Sequence, residues 1–312
     1  MSSRLLTNKR IQTVAQQHHF GVGAFNVFDM ESIQAVVRAA ELERSPAIIA
    51  TTEGAIEYAG HEFLAEMISL AAKRSDMPLT MHLDHGKDMK IIRDCIKFGY
   101  SSVMIDASHY PWEKNIQVTK KVVDMCHKKG MSVEAELGTI GGVEDKVSTR
   151  HIILTEPGEA KEFAQRTGCD TLAVAIGTSH GAYKFAGKSR LDIKRLREIK
   201  KVVKIPLVLH GASGIPQDIV RKAERFGAKL GRPHGVSVPD TKAAIRNGIS
   251  KINIDSDLRL TFDAAIREVL SEKPDTFDPR KILGPARDAL VETVRMKMRM
   301  FSSSGKAKYY KK

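Results

Sequence analysis

Short apolar, β-rich runs alternate with longer amphipathic stretches from near residue 20 to near residue 260. The runs fall at 23–27, 47–51, 79–83, 102–106, 132–137, 171–176, 207–210 and 251–254. Between them, 30–43, 62–73, 89–98, 113–129, 157–166, 193–203 and 217–226 carry apolar residues at helical spacing. Eight strand–helix alternations within roughly 250 residues predict an α/β fold, a (β/α)₈ barrel. A doubly wound open sheet is the alternative, but the turn after the first run, Asn26-Val27-Phe28-Asp29, has no glycine fingerprint for a dinucleotide. The stretch 231–240 interrupts the seventh unit as an excursion before a short helix at 241–247. Two additional C-terminal helices are expected at 260–270 and 283–301, joined by 274–280. The small, polar, basic tail 302–312 is expected to be mobile. There is no internal repeat, and one domain is expected over 1–312.

Composition narrows the class. The 312 residues are 42% hydrophobic and 28% charged, enough apolar material for a large core and too much for a disordered chain. An odd number of cysteines, Cys95, Cys126 and Cys169, reads as reduced thiols in a cytoplasmic compartment. No run approaches the roughly 20 apolar residues of a membrane span, and the first thirty residues lack the apolar core of a signal peptide. The net charge of +13 favours anionic partners. With 6% aromatics and one tryptophan, Trp112, no aromatic-interleaved basic patch suggests nucleic acid, so a phosphorylated metabolite is the better candidate.

In a parallel barrel the working face lies at the C-terminal ends of the strands. The third run ends His82-Leu83-Asp84-His85-Gly86, the fourth Asp106-Ala107-Ser108-His109, and the fifth contains Glu134-Ala135-Glu136-Leu137-Gly138. Gly177-Thr178-Ser179-His180-Gly181 follows the sixth, His210-Gly211-Ala212-Ser213-Gly214 the seventh, and Asn253-Ile254-Asp255-Ser256-Asp257 the eighth. A single histidine is more often a hydrogen-bonded loop or core residue than a ligand. His85, His180 and His210 at equivalent positions of strands three, six and seven instead suggest three nitrogen donors around one zinc ion, with an open fourth position. His82 and His109 are candidates for fixing ligand tautomers, whereas His18, His19, His61, His127 and His234 read as surface residues. The loops after strands seven and eight, Gly211-Ala212-Ser213 and 253–256, suit a phosphate through backbone N–H groups and hydroxyls. Beyond strand five, Gly138 to Asp145 is a glycine-rich loop with two carboxylates, able to bring a base over the site.

Taken together and in order, these motifs resemble the class II, metal-dependent fructose-bisphosphate aldolases, a family that includes tagatose-bisphosphate aldolases. The likeness also takes in Gly21 to Asn26, Gly141-Gly142-Val143-Glu144-Asp145 and Lys251-Ile252-Asn253-Ile254-Asp255, and spans essentially the whole chain. It implies that His85, His180 and His210 hold a catalytic zinc, with Asp84 as the proton-transfer carboxylate beside it. Glu144 would act on the C3 proton of dihydroxyacetone phosphate, and Asn253 would hold the enediolate region. Asp106 and Glu136 match positions that bind a second divalent ion in some members. Sugar bisphosphate and triose phosphate would lie on Asn26, Thr52, Gly181, Lys184, Gly211, Ser213, Asp255 and Ser256, the last a threonine in many members. Arg280 would reach the distal phosphate of a neighbouring subunit, which implies a dimer or tetramer. A monovalent cation, Na⁺ or K⁺, is a family habit near the Gly181 and Ser213 backbone.

Several readings compete. Tagatose-bisphosphate cleavage differs only in configuration at C4, and Tyr183-Lys184 with the region 260–301 look more like fructose-specific members. A zinc barrel hydrolase lacks a two-metal carboxylate or lysine motif and leaves the phosphate loops idle. A Schiff-base aldolase needs a lysine closing a strand, and Lys251 opens one.

Overall fold

The structure is a computed structural model that describes residues 5–144, 147–149, 153–180, 191–231 and 233–310; at 141–144, 147–149 and 180 the description is confined to the backbone. Its strands are β1 (Val22–Asn26), β2 (Ala47–Thr51), β3 (Leu79–Gly86), β4 (Ser102–Ile105), β5 (Ser132–Leu137), β6 (Gly141–Glu144), β7 (Val147–Thr149), β8 (Thr171–Val174), β9 (Ser179–His180), β10 (Leu207–Leu209) and β11 (Ile249–Ile254). The helices are α1 (Asn8–Gln17), α2 (Met30–Glu43), α3 (Glu53–Ala59), α4 (His61–Arg74), α5 (Met89–Lys97), α6 (Trp112–His127), α7 (Pro157–Thr167), α8 (Ile193–Val202), α9 (Gln217–Arg225), α10 (Val238–Arg246), α11 (Ser256–Glu272) and α12 (Pro279–Met300).

Eight strands close into a parallel barrel in the order β1-β2-β3-β4-β5-β8-β10-β11 and back to β1. The predicted (β/α)₈ fold is therefore the observed one. Parallel strands covered on both faces must be apolar almost throughout, and each barrel strand is buried along its length, His85 alone being partly exposed. Outward-facing residues such as Ile49, Leu83, Val103, Val133, Leu172, Leu209 and Ile252 pack with the inner faces of the surrounding helices in one core. Helix starts follow side-chain chemistry. Asp29 caps α2 by accepting from Ser32 N (2.8 Å), and Ser32 returns the bond, a reciprocal capping box. Asp278, with Pro279 in the first turn, starts α12 by accepting from Arg280 N at 3.0 Å.

Two helices and one sheet carry little sequence signal. The buried face of α1 includes Asn8 and Gln12, which blurs its apolar period. Helix α3 has only 7 residues, too few to show one. Outside the barrel, β6 pairs antiparallel with β7 and parallel with β9, so the glycine-rich segment after β5 is partly strand rather than all loop.

Residues 302–310 of the tail are packed against the rest of the fold. Residues 306–310 form a 3₁₀ turn seated against α1, with Tyr310 Oη donating to Ile11 O at 2.7 Å and the Tyr309 ring stacked on His18 at 3.8 Å. At the end of α2, the Glu43 carboxylate accepts from Arg295 Nε (2.9 Å), Arg299 Nη2 (2.6 Å) and Ser304 Oγ (2.8 Å). The carbonyls of Glu43 and Arg44 accept from the N–H groups of Gly305 and Ala307. Two aromatic side chains and an ion-pair network anchor the segment despite its small, basic composition.

The bond from Arg299 leads the effects that hold the Glu43 carboxyl down at about 2, against the partial burial that opposes them. A depressed carboxylate stabilises the fold above its unfolded value near 4.5, and that stability is lost as pH falls toward about 2. With solvent-screened arginines as partners, Glu43→Gln should cost about 1–2 kcal/mol at neutral pH and flatten the stability profile between pH 4.5 and 2. Thermal unfolding across that range checks this; parallel profiles for the two proteins would show that Glu43 does not tie the tail to α2.

Candidate active site at the carboxyl ends of the barrel strands

Side chains alternate along a strand, so His82 and Asp84 of β3, Glu134 and Glu136 of β5, and Lys251 and Asn253 of β11 all project into the barrel. His85 would by this rule face the helices. It does not, because its φ of +47° is left-handed and the β3–β4 register shifts between Leu83 and Gly86, which turns the imidazole back toward the axis. Gly86 permits this close approach, since a Cβ there would lie 2.7 Å from Met104 O. The buried Glu53 carboxylate holds the following turn by accepting from the N–H groups of Lys87 (2.7 Å) and Asp88 (2.8 Å).

The result is two imidazoles set edge to face, their ring planes 79° apart. His85 Nδ1 lies 3.1 Å from Asp106 Oδ2, and His210 Nε2 lies 2.8 Å from Glu134 Oε1. A carboxylate only accepts, so each of those nitrogens donates. The remaining nitrogens, His85 Nε2 and His210 Nδ1, stand 2.9 Å apart. Two lone pairs at that separation repel unless a cation joins them. A proton is one solution, and it is reflected in His85: burial opposes its charge, but the field of Asp84 and the bond to Asp106 push its pKa up to about 10. A divalent ion is the other, and Asp84, His85 and His210 offer donor atoms within 4.8 Å of one another. The arrangement therefore fits a metal held by nitrogen.

Asp84 is buried, and burial alone would raise its pKa; the field of His85 and His210 and the bond from Asn26 hold it below its ordinary value. Asn26 Nδ2 donates to Oδ2 and Asn253 Nδ2 to Oδ1, both at 2.9 Å, so the carboxylate is fixed by two amides. A second group, His85, Asp106 and Glu136, also clusters within 4.8 Å. Burial, reinforced by Asp106, raises Glu136 to about 8, and its Oε2 is buried without a hydrogen-bond partner among the described residues. Asp106, in contrast, is shifted strongly down: burial is outweighed by its bond and charge interaction with His85.

Beneath the imidazoles lies a charged floor. Lys251 Nζ donates to both oxygens of Glu134 (2.8 and 2.9 Å), all of them fully buried, and stands 3.4 Å from His82 Nε2. Burial and the neighbouring Lys251 charge hold the His82 pKa well below its ordinary value, and its Nδ1 is 3.1 Å from Ser102 Oγ. Sequence reading kept Glu134 and Lys251 out of the site. The available signal was period two, since each precedes a chosen residue, Glu136 or Asn253, by two positions on an inward face.

Among the other chosen residues, Gly211 adopts φ +59° with its Cα against the Ser179 backbone, where a Cβ would lie 2.6 Å from Ser179 O. Ser213 Oγ accepts from Asp255 N at 3.3 Å, which joins the two loops at the amino end of α11, where Ser256 is the first residue. Asp255 accepts from Arg259 Nε at 2.8 Å. The buried Thr52 sits at the end of β2, but its hydroxyl caps α3 by accepting from Ala55 N. Arg280 is 90% exposed and paired with Asp278 at 2.9 Å. Backbone pairing of Gly141 with Ser179 and of Gly142 with His180 puts the strand of Glu144 beside that of His180; the two side chains lie outside the described atoms. Gly181 and Lys184 lie outside the described residues, as does Tyr183.

The family model "Fructose-bisphosphate aldolase class-II" matches residues 7–306. The chain is 47% identical over 305 residues to a fructose-bisphosphate aldolase of Thermus caldophilus, covering 97% of this chain and 100% of that one. It is 45% identical over 310 residues to a fructose-bisphosphate aldolase of Giardia intestinalis, with 98% and 96% covered. Among solved structures, the YdjI aldolase of Escherichia coli K12 superposes with a TM-score of 0.79 at 33% identity, covering 97% of this chain and 99% of that chain. With a barrel whose carboxyl end gathers carboxylate-backed histidines, and with this likeness along its length, the chain belongs to the class II fructose-bisphosphate aldolase family.

Proposed function

We propose that the protein catalyses the reversible cleavage of fructose 1,6-bisphosphate to dihydroxyacetone phosphate and glyceraldehyde 3-phosphate. The observation that carries the reading is the pair of facing imidazole nitrogens, each backed by a carboxylate, beside Asp84 and the loop pair 211–215 and 253–256. His85 and His210, completed by His180, would hold a zinc ion, which when bound supplies Lewis acidity toward the substrate carbonyl and hydroxyl oxygens. Asp84, held by Asn26 and Asn253, accepts the C4 hydroxyl proton as the C3–C4 bond breaks. Glu144 handles the proton at C3, delivered by the strand that runs beside Ser179 and His180. Asn253, whose buried Oδ1 has no hydrogen-bond partner among the described residues, lies against both Asp84 and His210 and steadies the enediolate region.

One phosphate is bound by Gly181, Lys184, Gly211, Ser213, Asp255 and Ser256, where backbone N–H groups and the positive end of α11 favour an anion. Asn26 and Thr52 complete the substrate wall. Arg280, almost fully exposed, takes the distal phosphate in a neighbouring copy, so the working form is a dimer or tetramer. A second divalent ion on Asp106 and Glu136 would compete for Asp106 with the bond from His85 Nδ1. A monovalent cation, Na⁺ or K⁺, belongs near Ser213. The three free, buried cysteines suit a reducing cytoplasm, and among the described residues no helix is long and apolar enough to cross a membrane. A Schiff base on Lys251 is disfavoured by its full burial in an ion pair with Glu134.

Cleavage of fructose 1,6-bisphosphate should vanish on chelation, return with zinc, and exceed that of tagatose 1,6-bisphosphate. A preference for the tagatose isomer would keep the mechanism and change the substrate, whereas zinc-loaded protein inert toward both would end the aldolase reading. His180→Ala should abolish both zinc retention and turnover; stoichiometric zinc with full activity in that variant would remove His180 from the ligand set. Glu144→Ala should keep zinc and fold while C3 proton exchange of dihydroxyacetone phosphate falls by about 10²–10⁴-fold, the worth of a positioned base. Unaltered exchange, followed by deuterium incorporation, would place the base elsewhere.

A further inference from the structure

The loop 211–215 has a support that the proposed chemistry leaves unused. Asp257, fully buried in the first turn of α11, accepts from Gly214 N at 3.0 Å through Oδ2 and from Ile215 N at 2.6 Å through Oδ1. Those two bonds hold Ile215 at a φ of +50°, a left-handed conformation that a branched residue adopts only when its surroundings enforce it. Lys297, from the far end of α12, places its ammonium 2.5 Å from Asp257 Oδ2 with a side chain only 3% exposed. The same ammonium lies against the loop backbone, since a Cβ added to Gly214 would be 3.2 Å from Lys297 Nζ. The opposite edge is held by the excursion: Val236 N donates to Ser213 O at 3.1 Å, and Gln217 Nε2 donates to both Ile215 O and Pro233 O at 3.0 Å. Gly235 is needed for this contact, because a Cβ there would meet Ser213 O at 2.1 Å.

We propose that Lys297 is a positioning residue: acting through Asp257, it sets the geometry of residues 211–215 and thereby the affinity of the site for the substrate's phosphate. Lys297 is buried behind Asp257, its ion-pair partner. An unpaired buried carboxylate would seek water or a proton, and either outcome loosens its grip on two backbone N–H groups. The stretch 233–236 has the complementary role of closing the loop from its other side. The inference rests on the reading of 211–213 as a phosphate loop.

The test uses zinc-loaded, full-length protein with inorganic phosphate as the probe, read by calorimetry and by competitive inhibition of cleavage. Lys297→Met should raise the phosphate dissociation constant and the KM together by about tenfold, with kcat changed less than about threefold, as expected when a binding loop is displaced and the reacting groups are not. The double variant Asp257→Asn/Lys297→Met removes both buried charges. It should regain thermal stability without regaining phosphate affinity, because a single amide oxygen cannot reproduce the two-oxygen grip. Lys297→Arg should stay closer to the unmodified protein than Lys297→Met in both constants. Variants that fold and bind phosphate as the unmodified protein does would reduce Lys297 and Asp257 to a structural pair and overturn the proposal. Should neither variant fold, hydrogen exchange at Gly214 and Ile215 in the unmodified protein decides: protection like that of the barrel strands is required, and rapid exchange overturns the clamp. Absence of phosphate binding by the unmodified protein is a separate outcome, which removes the phosphate-loop reading and this inference with it.

Discussion

His85 Nε2 and His210 Nδ1 stand 2.9 Å apart because each ring has its other nitrogen taken by a carboxylate. That constraint organises the carboxyl end of the barrel. It fixes one tautomer for each neutral ring, aims both lone pairs at one point, and makes a shared cation the resolution of their repulsion. The means of holding it come from four strands. β3 turns His85 inward by a left-handed residue, the turn after β4 supplies Asp106, β5 supplies Glu134, and β11 supplies Lys251 beneath Glu134. Asp84 takes its place between the same histidines and two amides, where their positive field offsets the effect of burial.

What was legible in the sequence follows from periodicity. Barrel strands packed by helices outside and by one another's side chains inside are buried along their length and rich in apolar residues, so the eight runs stood out, and polar residues at their ends marked the working face. Elements whose burial is polar or brief were not legible. Helix α1 inserts Asn8 and Gln12 toward the barrel, α3 is seven residues long, and the β6–β7–β9 sheet is built from glycine-rich chain. Residues 302–310 look like a solvated tail because their composition is small and basic. Their order comes from partners distant in sequence, Glu43, Arg44, Ile11 and His18, that no local pattern reveals.

The same distinction applies within the site. Histidines closing strands are conspicuous, whereas the residues that orient them are not, since Glu134 and Lys251 lie mid-strand where a sequence gives no sign of which charges meet. Two local features show the same limit: the Thr52 hydroxyl at the end of β2 also serves as a helix cap, and the inward turn of His85 depends on a backbone conformation that residue type does not announce.

Two fully buried carboxylates, Glu134 and Asp257, share one design. Each is paired with a lysine that is at most 3% exposed, and each accepts from a group at the candidate site: the ring N–H of His210 in one case, the N–H groups of Gly214 and Ile215 in the other. Stability alone does not account for such pairs. Well-packed apolar residues of similar volume are commonly as stable or more so by about 1–4 kcal/mol, because the cost of removing two charges from water absorbs their attraction. Direction does account for them. A carboxylate accepting from a ring N–H or from two successive backbone N–H groups sets an orientation that no hydrocarbon can, and the lysine behind it holds the carboxylate in place. The barrel thus carries buried charge where a nitrogen lone pair or a backbone loop must be aimed, and its remaining strand positions are filled mainly by apolar and small uncharged residues.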